Sequence, residues 1–187
     1  MSNILEVKNL TMHYETIDGD VDAVKNVSFN VKAGESFGIV GESGCGKTSV
    51  AMSLLQLQAE NGKISNGSIL FDGLELVGMS ENDLRKVRWD GISIVFQGAM
   101  NAWNPVVKIG EQIREAMREH SPESSKSQNT LKINELFTMV GLDSSVADRF
   151  PHELSGGMKQ RAIIALALSC DPKPVSYTHL RAHETPA

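Results

Sequence analysis

The residues Gly41-Glu42-Ser43-Gly44-Cys45-Gly46-Lys47-Thr48 fit G-x-x-x-x-G-K-[ST], the P-loop pattern. The chemistry needs glycine there because only a freely turning backbone can aim successive N–H groups inward. Those groups form a nest for phosphate oxygens at the positive end of the following helix. Lys47 then reaches the β and γ phosphates as a point charge, and the Thr48 hydroxyl offers a hard oxygen to Mg²⁺. Gly41, Ser43, Gly44, Cys45, Gly46, Lys47, Thr48 and the adjoining Ser49 are the candidate nucleotide-binding residues. Cys45 is read as a small residue whose amide serves the nest, in preference to a thiol activated by the helix N-terminus.

Such a loop works only between a strand and a helix, and the flanking sequence offers both. Ser36-Phe37-Gly38-Ile39-Val40 is a short apolar run that predicts a strand, and Val50, Ala51, Leu54 and Leu55 recur at helical spacing. Upstream, Val27, Phe29 and Val31 alternate with Ser28, Asn30 and Lys32, the period of a half-buried strand; Leu5 to Tyr14 alternates less cleanly. The opening is expected to be antiparallel β. Downstream, Ile69 to Phe71 before Asp72-Gly73 predicts a strand and turn, Ser80-x-x-Asp83 caps a helix running to about Arg88, and Ile92 to Phe96 returns to buried-strand character. Helical spacing from Ile109 through Met117 and from Leu131 to Val140 predicts two helices, with Ser121 to Asn129 a polar loop between them. A last helix is expected from Ser155 to Asp171-Pro172, where proline ends it.

The whole chain bounds these readings. At 187 residues it suits one domain, with at most an added lobe, and 41% hydrophobic residues can build a core. A net charge of −5 has the wrong sign for holding nucleic acid by general attraction, so phosphate must be gripped locally. Arg85, Lys86 and Arg88 accordingly read as a solvated helix face. No apolar run approaches a membrane span, and Cys45 and Cys170 lack zinc or disulfide spacing, so the expectation is a cytosolic chain.

In a chain with a P-loop, Leu154-Ser155-Gly156-Gly157-Met158-Lys159-Gln160-Arg161 reads as a second anion-binding helix start. At these residues the sequence resembles the ATP-binding cassette family, whose signature is LSGGQ or, as here, LSGGM with a basic continuation. The resemblance covers residues 3 to 173 and implies an α/β P-loop NTPase with an N-terminal antiparallel β region and a helical subdomain at about 99–150. It implies a head-to-tail dimer in which Ser155, Gly156 and Gly157 of one subunit close over ATP held by the P-loop of the other. Gln97 lies 50 residues after Lys47 and 58 before Ser155, the place of the family's Q-loop glutamine. By resemblance Gln97 touches Mg²⁺ and the attacking water, and with Lys47 it makes up the candidate catalytic pair. Tyr14 falls where the family carries its adenine-stacking aromatic; its rival role is a half-buried strand tyrosine.

Phe96-Gln97-Gly98-Ala99-Met100-Asn101-Ala102-Trp103-Asn104-Pro105 and Pro151-His152-Glu153-Leu154 look like the ATPase subunits of dipeptide, oligopeptide and nickel importers. This implies transmembrane permease partners, a solute-binding protein acting indirectly, no nucleic acid, and a peripheral place on the cytoplasmic face of the membrane. His152 beside Glu153 is expected to pack a loop. A soluble ATPase of the same family working on nucleic acid or protein complexes is the second reading, disfavoured because residues 99–150 lack sustained heptads.

The chain departs from the family after Asp171-Pro172-Lys173. The family continues there with an apolar strand ending in Asp and Glu, then a D-loop and a histidine switch. Residues 174–187 read PVSYTHLRAHETPA instead, which is expected to be a non-native tail on a cassette whose core sheet is incomplete. His179, His183 and Glu184 are not read as a replacement site, since a polar, proline-ended segment gives no rigid support. Without the two carboxylates, metal-assisted hydrolysis loses two of its parts while the phosphate nest survives. The expected result is poor turnover, a marginal fold with uncovered apolar surface, and, as a third reading, a non-catalytic nucleotide-binding fragment.

Overall fold

The computed structural model describes residues 2–88, 91–95, 102–120, 122–173 and the backbone of 175–177. They form two compact units, one within Met1–Arg85 and one within Lys86–His179. In the first, β1 (Asn3–Thr16), β2 (Gly19–Lys32), β3 (Gly62–Phe71) and β4 (Leu74–Glu75) make an antiparallel sheet in the order β2-β1-β3-β4.

The uneven alternation along β1 has a structural cause. Leu5, Val7, Leu10 and Met12 are all buried, so the apolar phase slips by one residue between Val7 and Leu10. Asn9 takes up the extra residue at φ 50° as a register shift in the pairing with β2, and its N–H donates to Ser28 Oγ at 2.8 Å. Asn26, at φ 52° on the partner strand, donates its N–H to Thr11 Oγ1 at 3.1 Å. Asparagine tolerates the left-handed region at both irregularities. The β3–β4 hairpin turns through Asp72 and Gly73 at φ 49° and 80°, the two positive values that a tight primed turn needs.

Glu75 fastens that hairpin. Partial burial pushes its carboxyl up, but the Ser68 hydroxyl and the N–H groups of Ile69 and Val77 donate to the carboxylate and together hold it below the usual range. A depressed folded-state value means the contribution is present above the ordinary carboxylate pKa and disappears as pH falls through the folded value. Glu75→Ala is therefore expected to destabilise the chain by about 1 kcal/mol at pH 7, near the low end for charged hydrogen bonds because the group meets water. Urea unfolding of both proteins at pH 7 and at successively lower pH checks this: the gap narrows as pH falls below the ordinary carboxylate range.

The run Ser36–Val40 does not form the strand expected of it. Phe37, Ile39 and Val40 are 45%, 43% and 91% exposed, and no described residue pairs with their backbone. A strand needs a ladder, and apolar side chains alone do not supply one. Phe37 finds partial cover by stacking on Phe29 of β2, with ring centroids 5.0 Å apart and planes at 10°. Helix α1 (Lys47–Leu54) follows, burying Val50, Ala51 and Leu54.

Helix α2 (Glu81–Val87) spans the division between the units in sequence, with Ser80 and Asp83 exchanging hydrogen bonds at its start. The Arg85 guanidinium lies 3.7 Å from Glu81, as suits a solvated face.

The second unit is mainly helical: α3 (Ile109–His120), α4 (Lys126–Met139) and α5 (Gly156–Leu168), with 3-10 turns at Ser144–Asp148 and Pro151–Glu153. Ile109, Ile113, Phe137 and Ala162 are fully buried at the centre of its core, which also takes in Leu136 and Val146. Two boundaries differ from expectation. Part of the polar stretch Ser121–Asn129 is helical, because Ser125 and Gln128 form a capping box that starts α4. α5 ends at Leu168, before Pro172 forces it to, and Ser169 turns back to donate to Leu166 O at 2.8 Å.

Strand β5 (Ser93–Val95) pairs in parallel with β6 (Val175–Tyr177), in register Ser93 to Val175. Residues expected to lie outside the fold thus supply a short strand. An open edge accepts any extended neighbour, and the valine and tyrosine in this segment favour strand.

Candidate functional site

Helix α1 begins on Gly46, at φ 89° and ψ 4°, with no side chain capping it. Helices α4 and α5 differ, since Ser125 and Ser155 each accept a first-turn N–H. Among the described residues, the first-turn amides of α1 therefore have no side-chain acceptor, the condition for receiving an anion. Preceding them, residues 41–45 are exposed.

Lys47 lies across this loop. Its Nζ donates to Gly41 O at 2.8 Å and Glu42 O at 2.6 Å, and stands 3.5 Å from Cys45 Sγ. The ammonium is thus aimed back over the loop rather than out along α1. Thr48 is exposed on the first turn, where a neutral hydroxyl oxygen suits a hard cation such as Mg²⁺. The uncapped amides, the inward ammonium and the exposed hydroxyl form a donor set that fits a magnesium-bound triphosphate. Exposed Cys45 contributes its backbone to the loop, its N–H donating to Glu42 O at 3.3 Å.

Two contacts that pattern reading did not anticipate fix the loop to the sheet. A Cβ at Gly46 would sit 2.1 Å from Ala23 O, so β2 passes directly against the loop. The Tyr14 hydroxyl lies 3.2 Å from Ser49 Oγ. Neither has a local signal, since both join segments far apart in the chain.

Tyr14 is half-buried on β1, opposite Val21 and Gly62, in the same unit as Gly41 to Ser49. Ser155, Gly156 and Gly157 are exposed and belong to the other unit. Ser155 is the N-cap of α5, its Oγ accepting Met158 N–H at 3.3 Å, which leaves fewer open amides than at α1. Gln97 lies outside the described residues. Ahead of the signature, Glu153 accepts the Phe150 N–H at 2.6 Å and the His152 ring stacks on Phe150 at 5.6 Å, so both residues serve the loop.

The capping role of Ser155 sets a modest expectation. Ser155→Ala should cost about 1 kcal/mol of stability through the lost cap, measurable by urea unfolding, with helicity otherwise retained. No helix among the described residues is long and apolar enough to cross a membrane, and no group of three or more potential metal-ligating His, Cys, Asp or Glu occurs among them.

Residues 24–175 match the ABC transporter family. The dipeptide transport ATP-binding protein DppD of Lactococcus lactis subsp. cremoris is 42% identical over 172 residues, covering 91% of this chain and 49% of the relative. The oligopeptide transport ATP-binding protein OppD of Haemophilus influenzae is 42% identical over 181 residues, covering 92% and 54%. The chain thus spans about half the length of these curated relatives. Among solved structures, the ATP-binding cassette MJ0796, in a dimeric post-hydrolysis state bound to ADP and Pi, superposes with a TM-score of 0.81 at 29% identity, covering 92% of this chain and 72% of that one. The cassette cbiO1 of Clostridium perfringens, part of the transporter complex cbiONQ, gives 0.76 at 26% identity, covering 95% and 65%. With its α/β cassette fold and a P-loop opening an uncapped helix, the chain belongs to the ABC transporter family.

Proposed function

We propose that this chain is the nucleotide-binding portion of an ABC importer ATPase, binding Mg²⁺–ATP at Gly41 to Ser49. The observation that carries the proposal is the glycine-started helix without a side-chain cap, with Lys47 Nζ held across the loop 2.8 Å from Gly41 O. Main-chain amides of the loop bind the phosphates, Lys47 neutralises the β and γ groups, Thr48 holds the metal, and Tyr14 meets the adenine. Magnesium, when bound, supplies Lewis-acid neutralisation of phosphate charge.

Gln97 is proposed to orient the attacking water, and Ser155, Gly156 and Gly157 to act on nucleotide held by a second cassette in a head-to-tail dimer. The dimer reported for MJ0796 supports that arrangement. The names of the dipeptide and oligopeptide relatives support a part in peptide transport. Permease partners, a place at the cytoplasmic face of the membrane and a related small solute such as nickel are proposed with it.

Turnover by this chain is proposed to be slow. Residues 174–187 contain one carboxylate side chain, Glu184, where hydrolysis needs an Asp for the metal and a Glu for water. Calorimetric titration with Mg²⁺–ATP, run beside a phosphate-release assay, tests both parts. Saturable 1:1 binding with little phosphate release is the expected result; a folded chain that takes up no nucleotide overturns the proposal.

A further inference from the structure

We infer that the helical unit binds a short peptide in a cavity beside α4, with the peptide's ammonium on Glu135 and one of its backbone amides on Asn129. The inference concerns a place remote in sequence from the P-loop and does not rest on the ATP-binding reading.

A cavity of about 410 Å³ opens where the end of α3, the first half of α4 and the residues just after α5 meet, and Met117, Asn129, Lys132, Glu135 and Asp171 are among its lining. That volume lies within the about 300–1,000 Å³ of small-molecule sites. All five residues belong to the second compact unit, so the cavity is formed within it.

Asn129 is 3% exposed, and no described residue hydrogen-bonds its side-chain amide. Its backbone N–H is satisfied by Ser125 O at 3.0 Å, as a helix start requires. A buried amide left unpaired is costly, so a ligand that pairs it recovers that cost. The group both donates and accepts, the pattern that a peptide bond complements.

The charged groups beside it are not equivalent. Lys132 Nζ donates to both carboxylate oxygens of Asp171, at 2.5 and 2.7 Å, so these two neutralise each other. Glu135 lines the same cavity and has no ion pair among the described residues, which leaves the three groups with one net negative charge. The unmatched groups therefore call for a cation and a peptide-like amide in one molecule. Met117, 7% exposed, adds an apolar wall.

Asn129 and Glu135 are six positions apart on α4, about 9 Å along its axis. An extended chain covers that distance in about three residues, and its free α-amino group is an ammonium at pH 7.

Trialanine and N-acetyl-trialanine, which lacks the ammonium, are titrated at pH 7 into the full chain and into Glu135→Gln and Asn129→Ala. Trialanine is expected to bind 1:1 and to shift the side-chain amide resonances of Asn129 in NMR spectra. Glu135→Gln should weaken it by about tenfold, as loss of a charged hydrogen bond does. Acetylation should weaken binding by a similar factor in the unchanged chain and by less than about twofold in Glu135→Gln, because the contact it removes is already gone. Asn129→Ala should weaken both peptides by about fivefold. Glu135 is exposed, so its replacement leaves the core alone; should Asn129→Ala fail to fold, acetylation and the amide resonances still decide.

No saturable binding of trialanine by the folded chain overturns the inference and leaves the cavity to water. Binding that acetylation and Glu135→Gln leave unchanged, or that does not move the Asn129 resonances, also overturns it, since the peptide then sits elsewhere. Neither outcome bears on nucleotide binding at Gly41 to Ser49.

Discussion

Replacing Lys47 with alanine is expected to lower the affinity for Mg²⁺–ATP by about a hundredfold or more, given about 1.5–3 kcal/mol for each charged hydrogen bond to phosphate. The ammonium is already placed for this work. Two carbonyls, Gly41 O and Glu42 O, hold it over the loop at 2.8 and 2.6 Å, so little side-chain ordering remains to be done when phosphate arrives. Alanine removes the charge and also leaves those two carbonyls to water. Arginine should not rescue binding, because its planar fork cannot occupy a place shaped for a compact point charge. Calorimetric titration of wild type, Lys47→Ala and Lys47→Arg checks the prediction. Alanine binding within about twofold of wild type would show that amides alone carry the phosphate, contrary to the role given to the charge.

The P-loop was legible because its chemistry is contiguous: eight neighbouring residues specify both the nest and its charge. Tyr14 and Ser49 were each readable as candidates, but their contact was not, since 35 residues and a change from strand to helix separate them. Patterns also mislead where a local signal needs a distant partner. Phe37, Ile39 and Val40 have strand character, yet an apolar run without an adjacent ladder forms no strand and stays exposed. The reverse occurs at α4, whose start was hidden by polar composition although Ser125-x-x-Gln128 is a helix-start signal on its own terms. The broken alternation of β1 was similarly informative: a one-residue slip between Val7 and Leu10 is what a bulge looks like in sequence, with Asn9 at its centre. The middle helices were legible from spacing because α3 buries Ile109, Ile113 and Met117 along one face.

Gly46→Ala is expected to be the most damaging single-methyl change in the loop, and Gly44→Ala isolates the reason. Both glycines have positive φ, 89° at Gly46 and 80° at Gly44, so alanine at either meets a conformational penalty of about 1–2 kcal/mol. Their surroundings differ. A Cβ at Gly44 has nothing within 4 Å, whereas at Gly46 it would lie 2.1 Å from Ala23 O and 3.3 Å from Ala23 C. Ala23 belongs to β2, whose backbone is tied to β1 at Val24 and Asp22 on either side of it, so the carbonyl cannot swing away as a side chain would. The loop must lift off the sheet instead. That movement takes the α1 amides and Lys47 with it and pulls Ser49 away from Tyr14. Gly46→Ala should therefore lose about 3 kcal/mol or more of stability and, where still folded, bind Mg²⁺–ATP far more weakly, while Gly44→Ala should lose only about 1–2 kcal/mol. Urea unfolding and nucleotide titration of the two variants side by side measure the difference. Equal losses at both positions would mean that backbone conformation alone, and not the close approach of β2, is what requires glycine at position 46.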